Sequence, residues 1–105
     1  MPHPPLPIVL DNGVLTERYR TQIRALADWY VAECGRAHRA PDNAGQWALA
    51  VAGLREVGFP WEEAYAGYRL GQAHLRQGHG SKTAAAAALR RATAVATRLL
   101  SLIHI

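Results

Sequence analysis

From Val14 onward the apolar positions follow a helical period, and short breaks divide them into four runs. The first run is Leu15, Tyr19, Ile23, Leu26, Tyr30 and Cys34, at steps of three and four. That spacing predicts one helix with a single apolar stripe, expected to face the core with Cys34 as a buried thiol. The Arg39-Ala40-Pro41 stretch ends it, because the residue before a proline is disfavoured in the α region. A second helix is predicted to open at Asp42-Asn43, two good N-cap residues, with a stripe of Trp47, Ala50, Val51, Leu54 and Val57. Gly58 stops it, and Pro60 suits the first turn of a third helix.

The third helix carries Trp61, Ala64, Tyr65, Tyr68, Leu70 and Leu75, with Glu62 and Glu63 near its positive end and Gly78 at its close. The fourth starts near Ser81 and shows Ala84, Ala88, Leu89, Ala92, Val95, Ala96 and Leu99 on one broad face, opposite a charged face of Arg90, Arg91 and Arg98. Short links make neighbouring helices antiparallel. The expected architecture is therefore all-α: four helices in two stacked antiparallel hairpins over residues 14–105. Residues 1–13 hold four prolines and no period, so they are expected to form an extended arm. No segment alternates apolar and polar residues as a strand would.

The stretch RQGHGSKTAAAAAL, residues 76–89, raises the question of a phosphate-binding loop. Such a loop needs Gly-x4-Gly-Lys-[Ser/Thr] after a strand, so that backbone N–H groups wrap the phosphates while the lysine reaches the outer ones. Ser81 separates Gly80 from Lys82, and the preceding Leu70-Gly71-Gln72-Ala73-His74-Leu75 run is helical in pattern. The stretch is read as a turn, with Gly78 closing one helix and Ser81 capping the next.

Composition adds constraints. Half of the 105 residues are apolar and alanine dominates them, so close helix packing must be supplemented by the three Trp, four Tyr and one Phe. One cysteine excludes an internal disulfide, and no window approaches the roughly 20 apolar residues of a membrane span. The first residues lack the basic and apolar regions of a signal peptide, and a cytoplasmic location is expected. The net charge of +4 is unevenly spread: residues 1–63 contain six arginines and all eight acids, while residues 64–105 contain Lys82 and five arginines with no acid. Lys82, Arg90, Arg91 and Arg98 form a candidate basic patch for nucleic acid, though their spacing does not cluster them.

Catalytic and metal chemistry find little support. The five histidines, His3, His38, His74, His79 and His104, include no H-x3-H pair, and with one cysteine no zinc site is expected. Cys34 has no neighbouring base in sequence to activate it. Asp28 with Glu33, or Glu62 with Glu63, point in different directions on a helix and are expected to be solvated charges. The expectation is a non-enzymatic protein without cofactor or metal. Two hairpins leave two uncapped apolar ends, which predicts self-association through the first or last helix, with residues 99–105 as the leading contact.

Trp47 and Trp61 stand at related points of successive helices, and Leu70-Gly71 with Ala84, Ala88 and Ala92 echoes the close packing of tetratricopeptide repeats. Several longer strings carry a further resemblance: Ala32-Glu33 with Gly35-Arg36-Ala37, then Leu54-Arg55-Glu56-Val57-Gly58-Phe59-Pro60-Trp61, Glu63-Ala64-Tyr65-Ala66, Arg69-Leu70, and the closing alanine helix. On these residues the stretch 32–100, about two-thirds of the chain, resembles the tetratricopeptide-like helical region of actinobacterial LuxR-type transcriptional regulators with a signal-transducing ATPase domain. In that family the region lies between a nucleotide-binding core and a C-terminal helix-turn-helix. The chain departs from it at Gly78-His79-Gly80-Ser81, where a short Gly-Asp turn is usual, and at Gln72, often Glu; it has no Walker motif and no DNA-reading helix-turn-helix.

The resemblance implies a sensing and scaffolding module, excised from or shortened relative to such a regulator. It further implies that the first helix of each hairpin lines a face receiving a peptide, a protein or a neighbouring domain of a larger regulator. Tyr19, Tyr30, Tyr65, Tyr68, Arg69 and Gln72 are the candidates on that face. For the tyrosines the alternative is a core ring with an exposed hydroxyl.

Overall fold

A computed structural model describes residues 12–78 and 81–103, with side chains from Thr16 on. Residues 1–11 of the expected arm, the side chain of Leu15, and His79, Gly80, His104 and Ile105 lie outside the described residues, while Asn12 and Gly13, also expected in the arm, belong to the first helix. The described chain is all-α. It forms α1 (Asn12–Ala37), α2 (Asn43–Val57), α3 (Pro60–Gln77) and α4 (Ser81–Ile103), with no strand among the described residues. Each helix packs on the next, so α1–α2 and α3–α4 are two hairpins joined through the α2–α3 contact.

The helix ends follow from local chemistry. Asp42 caps α2 by accepting from the Gly45 N–H at 3.2 Å. Gly58 closes α2 in the left-handed region, φ 75°, with its N–H on the Arg55 carbonyl and the Phe59 N–H on that of Leu54. This is the paired-bond Schellman stop that glycine adopts without a Cβ penalty. The same bonding ends α1: Arg39 donates to the Arg36 carbonyl and Ala40 to that of Gly35. Here an arginine, φ 55°, occupies the left-handed position. Pro60 stands in the first turn of α3, where its missing N–H costs nothing. Helix α3 ends at Gln77 and α4 begins at Ser81, whose N–H reaches the Gly78 carbonyl at 3.0 Å. Of the 76–89 stretch, residues 76–77 close α3 and residues 81–89 open α4.

The core is made of small residues around two large ones. Trp47 and Leu54 of α2 are fully buried, surrounded by Ala25, Ala32, Ala44, Ala50, Val51, Ala66 and Ala73. For α2 the observed face is the predicted one. The α4 face also follows expectation, with Ala92 and Val95 buried and Ala84, Ala88, Leu89, Ala96 and Leu99 half-buried.

Helix α1 departs from its expected face. Its large apolar residues point to solvent, with Ile23 66% and Tyr30 70% exposed and Tyr19 and Leu26 nearly half exposed. The buried line is Ala25 and Ala32, and Cys34 is half-buried rather than buried. The reason is backbone proximity: a Cβ added at Gly53 of α2 would stand 3.2 Å from the Ala25 methyl, so the seam admits only small side chains. The same holds on α3. Ala66, Gly71 and Ala73 are buried, while Trp61, Tyr68 and Leu75 of the expected stripe are exposed. A Cβ at Gly71 would meet Leu89 of α4 at 2.6 Å.

Candidate functional site

The fold brings four of the six candidate residues together with three that the sequence did not single out as site residues. Tyr65 of α3 sits where α1, α2 and α3 meet, its ring 6.0 Å from both Trp29 and Trp47, edge-on to the latter. Its hydroxyl donates to Glu33 Oε2 of α1 at 2.7 Å and accepts from Arg69 Nε at 3.0 Å. Arg69 Nη1 donates to Gln72 Oε1 at 2.8 Å, and Gln72 Nε2 to the Tyr68 hydroxyl at 3.1 Å. The Arg69 guanidinium also lies 5.3 Å from the centroid of the Tyr65 ring, within cation–π range. On the α1 side Arg36 Nε donates to Glu33 Oε1 at 2.7 Å. One connected chain, Arg36–Glu33–Tyr65–Arg69–Gln72–Tyr68, thus runs from α1 across to α3.

Helical spacing explains the α3 half. Tyr65, Tyr68, Arg69 and Gln72 fall at i, i+3, i+4 and i+7, one above another on a single face. Trp29, Glu33 and Arg36 have the same spacing on α1, and that signal was readable in the sequence. The larger apolar residues of the neighbouring stripe, Tyr19, Ile23, Leu26 and Tyr30, mask it by pointing to a different buried face. Tyr19 and Tyr30 do not join the network; they lie in the exposed stripe with Ile23 and Leu26. For Tyr19, Tyr30 and Tyr68 the core alternative is excluded by exposure, whereas Tyr65 is half-buried and does both jobs.

Electrostatics favour the charged forms of Glu33 and Arg69. Burial opposes ionisation of Glu33, but the hydrogen bonds from Tyr65 and Arg36, with the charges of Arg36 and Arg69, outweigh it and hold the carboxyl below its ordinary range. Arg69 is held even more firmly protonated, chiefly by its hydrogen bond to Tyr65. In the exposed stripe Cys34, one turn beyond Tyr30, raises the pKa of that phenol. At neutral pH the network carries one carboxylate between two guanidiniums.

Of the acids expected to be solvated, Glu63 is the clearest correction. It is 7% exposed, between Arg55 of α2 (3.0 Å) and Arg91 of α4 (3.5 Å), and so ties three helices. Its place in the first turn of α3, which packs on both α2 and α4, puts it within reach of an arginine from each, and these make burial of the charge tolerable. Glu33 is half-buried in the network. Lys82, Arg90, Arg91 and Arg98 are exposed on α4. Arg91 is engaged with Glu63, and the other three step round the helix by about 80° each at 100° per residue, so they do not converge.

A second polar arrangement crosses the α1–α2 corner. The buried Asn43 side chain donates to the Ala32 carbonyl at 3.0 Å and to Gln46 Oε1 at 2.9 Å, and accepts from Trp47 Nε1 at 3.1 Å. The Asn43 side chain uses both its N–H bonds and its oxygen, and its bond to the Ala32 carbonyl ties α2 to α1. No group of three or more His, Cys, Asp or Glu residues among the described ones is placed to hold a metal, and no helix among them is long and apolar enough to cross a membrane. No protein-family model, no curated protein and no solved structure matches this chain.

Proposed function

We infer that this chain is a non-catalytic protein-interaction and sensing module whose binding face is built from α1 and α3. The observation that carries the reading is the side-chain network joining Glu33 and Arg36 to Tyr65, Arg69, Gln72 and Tyr68. It presents amide, guanidinium and phenol groups in fixed positions, and the same two helices leave Ile23, Tyr30 and Tyr68 exposed. Rigid aromatic and arginine groups beside exposed apolar ones are what protein-binding surfaces are made of. The paired first helices of two hairpins are also the face that a tetratricopeptide-like module of a LuxR-type regulator would offer its partner or its neighbouring domains.

Peptide display on the immobilised chain, followed by titration of each selected peptide, tests the reading. Selected peptides are expected to bind wild type and to lose affinity on Tyr68→Ala and Arg69→Ala. Peptides indifferent to both substitutions would contradict it. Nucleic-acid binding is the weaker reading, because Lys82, Arg90 and Arg98 are spread over about 160° of the α4 surface and Arg91 is paired. It predicts duplex binding with a steep salt dependence, lost on Arg90→Gln/Arg98→Gln.

A further inference from the structure

We propose that a groove at the C-terminal ends of α1 and α3 binds an acidic peptide segment, a short run of glutamate or aspartate side chains on a partner protein; this rests on the protein-interaction reading above and names the chemistry of the ligand. The groove, of about 770 Å³, lies between the last turn of α1, the α1–α2 link and the last turn of α3. Arg36, Arg39 and Arg76 line it, and no carboxylate does. Glu33 holds the Arg36 guanidinium from outside the groove at 2.7 Å. Among the described residues Arg39 and Arg76 make no ion pair or side-chain hydrogen bond, and both are exposed. Two uncommitted guanidiniums and one half-neutralised one therefore share a concave wall, a field that attracts carboxylates and matches their planar, bidentate geometry.

Three further features favour an acidic peptide over a phosphate backbone. Ala37, Pro41 and Ala73 supply apolar wall between the arginines, suited to the methylene stems of acidic side chains. Three arginines are too few for the roughly six to ten phosphate contacts of a duplex footprint, and the basic residues of α4 do not line this groove. Arg76 lies one turn beyond Gln72 and two beyond Arg69 on the same line of α3. The groove thus continues the Tyr65–Arg69–Gln72 face, and one extended segment would lie along both.

Fluorescence anisotropy of labelled hexaglutamate against the full chain at low salt tests this, with labelled hexaglutamine and a labelled duplex as comparisons. Arg39→Gln/Arg76→Gln removes the two uncommitted groove charges; Arg90→Gln/Arg98→Gln removes the same charge from α4. Hexaglutamate is expected to bind in preference to hexaglutamine, and the groove double variant to weaken it by about tenfold, against less than about twofold for the α4 pair. Equal losses in the two double variants would show attraction to net charge alone and overturn the proposal. So would equal binding of the two peptides, or a duplex that binds more tightly and depends on Arg39 and Arg76.

Arg39→Gly guards against a folding artefact, since glycine suits the left-handed position that Arg39 now occupies. It is expected to keep the helical circular dichroism and still weaken hexaglutamate binding. Displayed peptides that need Tyr68 and Arg69 but ignore both groove arginines would overturn this proposal while leaving the interaction reading intact.

Discussion

Tyr65 and Glu33, 32 residues apart in the chain, meet at 2.7 Å and join the two helices that carry the exposed aromatic residues. The phenol completes the Glu33 carboxylate and takes the Arg69 hydrogen bond in return. Tyr65→Phe keeps the ring against Trp29 and Trp47 and removes both bonds. It is expected to lower stability by about 1 kcal/mol, because the partners are half-exposed and recover water. Urea denaturation checks this: the midpoint should fall with the slope unchanged.

The same pair predicts a pH dependence. The folded-state pKa of Glu33 is lowered, so its contribution is fully present above the unfolded value and is lost as pH falls through the folded one. The melting temperature of wild type should therefore drop as pH falls below about 4.5, beyond the drop shared by other carboxylates. Glu33→Gln should flatten that part of the profile. An unchanged profile in thermal melts would show that Glu33 is not held as described.

Asn43 is expected to be the costliest polar position to truncate. Asn43→Ala leaves the buried Trp47 N–H and the Ala32 carbonyl without their partner. A loss of about 2 kcal/mol is predicted, from one to two buried groups at roughly 1–3 kcal/mol each. Asn43→Asp sets a carboxylate oxygen against the Ala32 carbonyl and Gln46 Oε1 and buries its charge, so in the same denaturation series it should cost at least as much as Asn43→Ala.

The α3–α4 seam gives a steric prediction. Gly71→Val places branched atoms where the Leu89 side chain already stands, within 2.6 Å of an added Cβ. Overpacking of this kind costs about 1–3 kcal/mol, and the helix propensity gained over glycine offsets only part of it. Leu89→Ala in the same chain should recover some of the loss, a coupling that a double-mutant cycle reads directly.

Self-association through an open apolar face remains part of the account. Tyr19, Ile23, Leu26 and Tyr30 on α1, and Leu100, Leu102 and Ile103 at the end of α4, are exposed. Light scattering should show mass rising with concentration, reduced by Ile23→Glu/Leu26→Glu or by Leu100→Glu/Leu102→Glu. A mass that stays monomeric throughout would contradict it.

The four helices and their stops were legible because glycine, proline and aspartate act locally: Asp42, Gly58, Pro60 and Gly78 mark ends whatever the tertiary contacts. The buried face of α2 was legible too, since Trp47 and Leu54 fill the centre. The faces of α1 and α3 were not. Size-weighted periodicity assumes that the largest apolar residues go inside, whereas these helices approach so closely that Ala25, Ala32, Ala66 and Gly71 take the seam and the large residues are displaced outward. The candidate site was half legible for the same reason. Tyr65, Tyr68, Arg69 and Gln72 share a face by spacing, but their link to Glu33 and Arg36 depends on how two helices are placed in space.

Chemical-shift mapping of a display-selected peptide on isotopically labelled full chain tests the central claim most directly. The account predicts shifts concentrated at Tyr65, Tyr68, Arg69 and Gln72, with the Trp29 indole and Glu33 responding across the α1–α3 face. Shifts confined to α4 around Arg90 and Arg98, with that face unperturbed, would contradict it.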